Sequence, residues 1–166
     1  MTTIRWTTRA LAAALGTVAA FGAGATAHAA PTTDVEQRNV QLIQEAFARG
    51  VGADDTFYAI LADDVQWTVA RADTPSTYTG RQDFLDNGAA PIVDRLNGEI
   101  RAQVQELVAD DNQVAARWHG TATARDGQPY VNEYAWFMTM ENERVTRVVA
   151  YLDLVALNDL IERVPV

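Results

Sequence analysis

Apolar positions after residue 33 first recur at helical spacing, with Val40, Ile43 and Phe47, joined by Leu42 and Ala46, on one face. Thr33-Asp34-Val35-Glu36 has the form of a capping box, in which the Thr hydroxyl accepts from the third backbone N–H and the Glu reaches back. The pattern predicts a helix that starts there and stops at Gly50, a residue suited to the left-handed conformation. A shorter helix is expected from about Asp54 to Ala62, with Phe57, Ile60 and Leu61 facing in. Val65, Trp67 and Val69 then alternate with Gln66 and Thr68, which predicts a short strand. Residues from Arg71 to Gly80 have loop composition, and Arg81 to Leu96 reads as a helix interrupted at Gly88 and Pro91.

From Glu99 onward the period becomes two. Four strands are predicted, at about Ile100 to Val108, Val114 to Ala124, Pro129 to Met140 and Arg144 to Asp153. Their turns are Asp110-Asp111-Asn112, Asp126-Gly127 and Glu141-Asn142-Glu143, and Val155 to Arg163 adds a helical tail before Pro165. Helices followed by a run of antiparallel strands give an α+β fold, a curved antiparallel sheet packed against N-terminal helices.

The segment before this domain has a different logic. Arg5 and Arg9 precede an Ala-rich apolar run from Ala10 to Ala25 that ends in Ala27-His28-Ala29, the layout of a secretory signal cut by signal peptidase. A membrane anchor would need about 20 strongly apolar residues, and this run is short and followed at once by Pro31-Thr32-Thr33-Asp34. The expected organisation is a signal peptide over residues 1–29 and one exported domain over residues 30–166, secreted or extracytoplasmic. That domain is large enough to bury a core without staples, and with no Cys it forms no disulfide.

Charge and absences narrow the chemistry. The chain has a formal net charge of −9 and no basic cluster, so phosphate backbones and anionic lipid surfaces would repel it. Neither nucleic acid nor, after cleavage, a membrane is expected as a partner. All 13 basic residues are Arg, which excludes Schiff-base and lysine-base mechanisms. After cleavage one His, His119, and one Ser, Ser76, remain, so a site with two or three His cannot be built in one chain, and Ser76 lacks a nucleophile-elbow context. No Gly-rich phosphate loop or dinucleotide fingerprint is present. No metal or cofactor is expected.

The order of elements, with Leu61-Ala62-Asp63-Asp64-Val65 before a strand, Tyr78-Thr79-Gly80-Arg81 entering the third helix and Tyr151-Leu152-Asp153 closing the last strand, resembles the nuclear-transport-factor-2-like superfamily, and within it the SnoaL-like branch. The resemblance covers nearly all of the chain after residue 30. It implies a cone-shaped fold whose curled sheet and helices enclose one apolar pocket, in a group that includes steroid isomerases, polyketide cyclases, dehydratases, epoxide hydrolases and proteins that only bind. Alignment on Ala62-Asp63-Asp64 puts Val69, Ile43 and Ala135 where the isomerase carries its base and its two oxyanion donors. Three apolar residues there argue against that route, which needs a base and a donor beside a ketone.

Cyclase-like relatives use a His and an acid on neighbouring strands, and His119 and Glu133 match in order and spacing, with Glu where the family has Asp. A three-residue loop Arg125-Asp126-Gly127, with Gly left-handed, pairs 119 with 133 and sets their Cβ atoms about 5 Å apart on one face. A two-residue loop would instead pair His119 with Tyr134. On the first register, His119 is the candidate general base and Glu133 holds its tautomer or serves as the acid. Plainer readings stand beside this: His119 as a hydrogen-bonded core residue, Glu133 paired with Arg117, and Asp153 in a structural salt bridge.

Tyr58, Trp67, Val69, Ala135 and Phe137 are the expected substrate-binding wall. Two functions fit, an acid/base cyclase or isomerase acting on a small apolar carbonyl compound, or a non-catalytic carrier of a small hydrophobic molecule. If His119, Val131, Glu133, Ala135 and Phe137 face the pocket, alternation turns Trp118, Tyr134, Trp136 and Met138 to the other side, where a homodimer partner or the C-terminal tail must cover them.

Overall fold

The computed structural model describes residues 33–166; the expected signal peptide over residues 1–29 and its cleavage after Ala29 lie outside the described residues. Helix α1 (Asp34–Ala48) begins with the full capping box: Thr33 accepts from the Glu36 N–H, and the Glu36 carboxylate accepts from the Thr33 N–H. Its inward face is Asn39, Ile43, Ala46 and Phe47. The second predicted helix is shorter than expected. A single 3-10 turn, Phe57–Ile60, is followed at once by strand β1 (Leu61–Val69), so Leu61 and Ala62 are extended rather than helical.

The predicted loop from 71 to 80 contains a further strand, β2 (Ser76–Thr79), which pairs antiparallel with β1 so that Trp67 faces Tyr78. Two Thr side chains tie the ribbon, Thr68 to Thr77 at 3.2 Å. Polar loop-like composition is what an edge strand exposed to water has on its outer positions, which hid the pairing.

Residues 81–93 form one helical segment of three parts, α2 (Arg81–Asp83), a π-helical turn (Phe84–Ala89) and α3 (Ala90–Val93). The Ala90 N–H reaches back five residues to the Leu85 carbonyl. Pro91 explains the change of pitch, because it has no N–H to donate and its ring crowds the carbonyl four residues earlier. The helix therefore ends at Val93, short of the expected Leu96.

Strands β3 (Arg101–Asp110), β4 (Gln113–Thr123), β5 (Pro129–Glu141) and β6 (Arg144–Leu152) form the predicted meander, and α4 (Leu154–Arg163) is the tail. The sheet order is β2-β1-β6-β5-β4-β3. It is an α+β fold with a curved, unclosed sheet and helices packed on it. The sheet is mixed rather than antiparallel throughout, since β1 runs parallel to β6. β1 reaches that position before the meander starts, and no hairpin links the two strands to impose an antiparallel sense.

The hairpin register is the expected one. Gly127 has φ 83°, the Ala124 N–H bonds to the Gln128 carbonyl, and His119 lies opposite Glu133. The face is reversed from expectation, however. Trp118, Tyr134, Trp136 and Met138 are at most 6 % exposed, whereas Phe137 is 52 % exposed. The four large side chains pack beneath the helices of their own chain: Phe47 of α1 has its ring 5.3 Å from Trp118 and 5.6 Å from Trp136. Burial of aromatic area outweighs burial of one ion pair, so the aromatic set faces in and His119, Val131, Glu133, Ala135 and Phe137 face out.

Candidate functional site

A cavity of about 40 Å³ lies among the inward side chains of the sheet, the π-helical turn and α3. Its floor includes Trp67, Trp118 and Trp136, and its helical wall includes Phe84, Ala89 and Ile92. Trp67 and Phe84 stack with centroids 3.9 Å apart, and the Tyr58 ring stands edge-on to both, at 6.1 and 5.1 Å. Ala150 and Leu152 of β6 complete the lining beside Val69 of β1, which the parallel pairing sets against Ala150.

The polar groups at this cavity are tyrosines, not carboxylates. Tyr130, Asn132 and Tyr134 alternate on the inward face of β5, where each is almost wholly buried. The Tyr130 and Tyr134 hydroxyls are 3.0 Å apart, and the Asn132 amide donates to the Tyr130 oxygen at 3.0 Å. Asn132 also pairs with the backbone of Asp153, donating to its carbonyl at 3.0 Å and accepting from its N–H at 2.9 Å. Burial pushes the Tyr58 phenol up well beyond the ordinary tyrosine value, with Tyr130 nearby adding to it. Tyr134 is raised well above that value, first by burial and then by Tyr130. Tyr130 is raised by burial, partly offset by its hydrogen bonds with Tyr134 and Asn132. All three phenols therefore keep their protons at neutral pH and serve as neutral hydrogen-bonding groups.

Of the expected binding wall, Tyr58, Trp67 and Val69 line the cavity. Ala135 and Phe137 do not, because alternation along β5 turns them to the outer face with Glu133. His119 and Glu133 do meet, Nδ1 to Oε1 at 2.6 Å, but on that outer face and outside the cone where they were expected. Arg117 engages Gln105 and Glu106 rather than Glu133. Asp153 caps α4, accepting from the Val155 and Ala156 N–H groups at 2.8 and 3.3 Å, in place of the expected salt bridge.

Sequence reasoning missed Trp118, Tyr130, Asn132 and Tyr134 as site residues, since it turned their face outward. The available signal was the spacing Tyr130-Asn132-Tyr134, three hydrogen-bonding residues on one face of a strand that also carries Trp136 and Met138. Among the described residues no group of three or more His, Cys, Asp or Glu is placed to hold a metal ion, and no helix is long and apolar enough to cross a membrane.

Comparison with known proteins gives a consistent result. The SnoaL-like domain family matches residues 40–148. Among solved structures, a protein described as a SnoaL-like polyketide cyclase from Jannaschia sp. superposes with a TM-score of 0.65 at 15% identity, covering 82% of this chain and 100% of that one. TerC, co-crystallised with polyporic acid, gives a TM-score of 0.59 at 21% identity over 75% of this chain and 98% of its own. A nuclear-transport-factor-2-like protein of unknown function from Burkholderia pseudomallei gives 0.57 at 19% identity over 75% and 97%. At these identities the likeness is one of fold. No match is found among curated proteins.

Proposed function

The chain belongs to the SnoaL-like domain family, and from that premise we propose that it is an exported carrier that takes up a small, neutral, hydrophobic molecule bearing a carbonyl, rather than a cyclase or isomerase. The observation supporting a carrier is the cavity lining, which among the described residues contains no carboxylate, imidazole or guanidinium. Tyr58 and Tyr134, the ionisable side chains in that lining, are held protonated by burial, which leaves no base there to take a proton at neutral pH. The acid/base reading rests on His119 and Glu133, whose side chains lie across the sheet from the cavity. That TerC was co-crystallised with polyporic acid supports small-molecule binding by this fold.

Uptake requires movement. A cavity of about 40 Å³ has room for two or three waters, well short of the ~150 Å³ that admits benzene. The 81–93 segment is the wall best suited to swing, because its π-helical turn has already given up regular pitch. Cleavage after Ala29 places the mature carrier outside the cytoplasm.

The outer face of the sheet is the homodimer surface in this reading. Phe137 and Tyr151, each about half exposed, form an edge-on pair 6.0 Å apart, with Val108 and Val131 exposed on the same face. The ladder register sets Phe137, Ala115 and Val108 in one apolar row, with Arg117–Glu106 and then His119–Glu133 in the rows beside it.

The test is native mass spectrometry of the mature protein from culture medium, with titration of neutral aromatic compounds followed by tryptophan fluorescence. Trp67, Trp118 and Trp136 all border the cavity, so entry of a ligand should quench them with saturation. No co-purified molecule and no saturable quenching would overturn the carrier reading, and turnover of a captured ligand would replace it with the enzyme.

A further inference from the structure

The hydrogen bonds behind the cavity have a direction, and that direction assigns a donor. Asn132 is 2 % exposed. Its Oδ1 accepts from the Asp153 N–H at 2.9 Å, which fixes the amide so that Nδ2 faces the Asp153 carbonyl and the Tyr130 hydroxyl, each at 3.0 Å. An amide nitrogen only donates, so the Tyr130 oxygen is an acceptor in this bond. The Tyr130 proton must go elsewhere. Its one neighbouring acceptor among the described side chains is the Tyr134 oxygen, 3.0 Å away. Tyr134 then accepts, and its own proton is left over. The opposite polarity would strand the Tyr130 proton in a buried position that does not border the cavity, at the full cost of a buried unmade bond. Tyr134 does border the cavity.

We propose that Tyr134 is the hydrogen-bond donor of the cavity, aimed by Asn132 through Tyr130, and that the ligand is a neutral molecule presenting an acceptor oxygen, such as a ketone carbonyl, to that hydroxyl. This deepens the carrier reading and rests on it. Two neighbours support the assignment. Trp118 stacks on Tyr134 with centroids 3.8 Å apart and planes 7° from parallel, which holds the phenol in one orientation. The Trp118 indole N–H is itself buried without a partner among the described residues, and Trp118 also borders the cavity. Donors without a matching acceptor favour an acceptor-bearing ligand, and a charged ligand would be desolvated there without a partner. Asn132 and Tyr130 act here as positioning residues.

The experiment compares two probes of similar shape, acetophenone and ethylbenzene, on the mature protein and on Tyr134→Phe and Asn132→Asp. The first substitution removes the hydroxyl and keeps the ring. The second, in its ionised form, puts an acceptor beside Tyr130, which draws the Tyr130 proton away from Tyr134 and lets Tyr134 donate inward to Tyr130, so this variant is read at rising pH until its effect levels. Both variants should bind acetophenone about three- to tenfold more weakly while ethylbenzene changes by less than about twofold. The carbonyl stretch of bound acetophenone should lie at lower frequency in the parent than in either variant. Circular dichroism checks that each variant is folded. If both probes bind the parent and neither the affinity ratio nor the carbonyl band changes in the variants, the donor assignment is overturned and the carrier reading survives. Equal weakening of both probes would mean that the ring packs and the hydroxyl does not donate, which also overturns it. If neither probe binds the parent, the carrier reading falls first and this assignment falls with it.

Discussion

His119 and Glu133 stand directly opposite each other in the β4–β5 ladder, and their side chains meet at 2.6 Å on the side of the sheet that faces away from the cavity. The carboxylate is 60 % exposed, so the pair has the setting of a solvent-exposed surface contact, worth about 0–1 kcal/mol. His119→Ala and Glu133→Gln should leave capture of a neutral ligand within about twofold of the parent. A loss of capture beyond tenfold, measured by tryptophan quenching, would mean that the pair acts on the cavity after all.

The second prediction concerns the same hairpin. Gly127 has φ 83° with nothing within 4 Å of where a Cβ would sit, so Gly127→Ala adds backbone strain and no clash. It should cost about 1 kcal/mol by urea unfolding and leave the register intact. Gly120 is the converse case. A Cβ there would come within 2.8 to 2.9 Å of Tyr134, Ile100 and Trp118 side-chain atoms, so Gly120→Ala should cost about 1–3 kcal/mol by overpacking. If Gly120→Ala cost nothing, the inward placement of Gly120 against the aromatic stack would be wrong.

Phe47 joins α1 to the sheet, touching Phe57, Trp118 and Trp136 with its ring. Phe47→Ala should cost about 3–5 kcal/mol in urea unfolding. It lies outside the cavity lining, so in conditions where the variant is folded its ligand capture should persist.

Acid should loosen the α1 cap. The Glu36 carboxyl is held below the usual carboxylate range by hydrogen bonds from the backbone of Thr33 and then of Asp111, the latter tying the β3–β4 turn to the helix. A group depressed in the folded state stabilises above its unfolded pKa, near 4.3, and loses that contribution as pH falls through its lower folded value. Urea midpoints should therefore drop with acid below about pH 4, and Glu36→Gln should show a flatter dependence there. Equal slopes in parent and variant would remove Glu36 from the effect.

The outer face makes the fifth prediction. Phe137→Arg should shift a sedimentation profile at micromolar concentration from dimer to monomer, with little change in urea stability, because Phe137 is half exposed in the single chain. A monomeric parent would retire the dimer.

How much was legible in the sequence depended on whether local signals decided the matter. Thr33 and Glu36 marked a helix start through side-chain hydrogen bonds four residues wide, and Arg125-Asp126-Gly127 fixed the pairing of 119 with 133 through one left-handed glycine. Which face of β5 turns inward was a different kind of question. Period-two alternation is symmetric, and the answer came from Phe47 and Phe57, distant in sequence, packing on Trp136. Weight given to His119 and Glu133 as chemistry reversed the assignment, and with it hid Tyr130, Asn132 and Tyr134. The edge strand β2 was missed because its stabilisation comes from Thr68 and Trp67 across the ribbon, not from its own composition.

The parallel pairing of β1 with β6 also sets an order of assembly. Gln66 lies beside Arg147, about eighty residues further along the chain, whereas the strands from β3 to β6 pair through short turns. Closing so long a loop is slow, so the meander should form before β1 docks on it. Until β6 is complete, β1 has only the four-residue β2 to pair with and presents an open edge that invites another chain. Val69 and Ala150, neighbours across that last seam, also line the cavity. On that order of assembly the cavity would be finished by the longest-range strand pairing in the sheet, and a nascent chain would lack it until its final strand had been made.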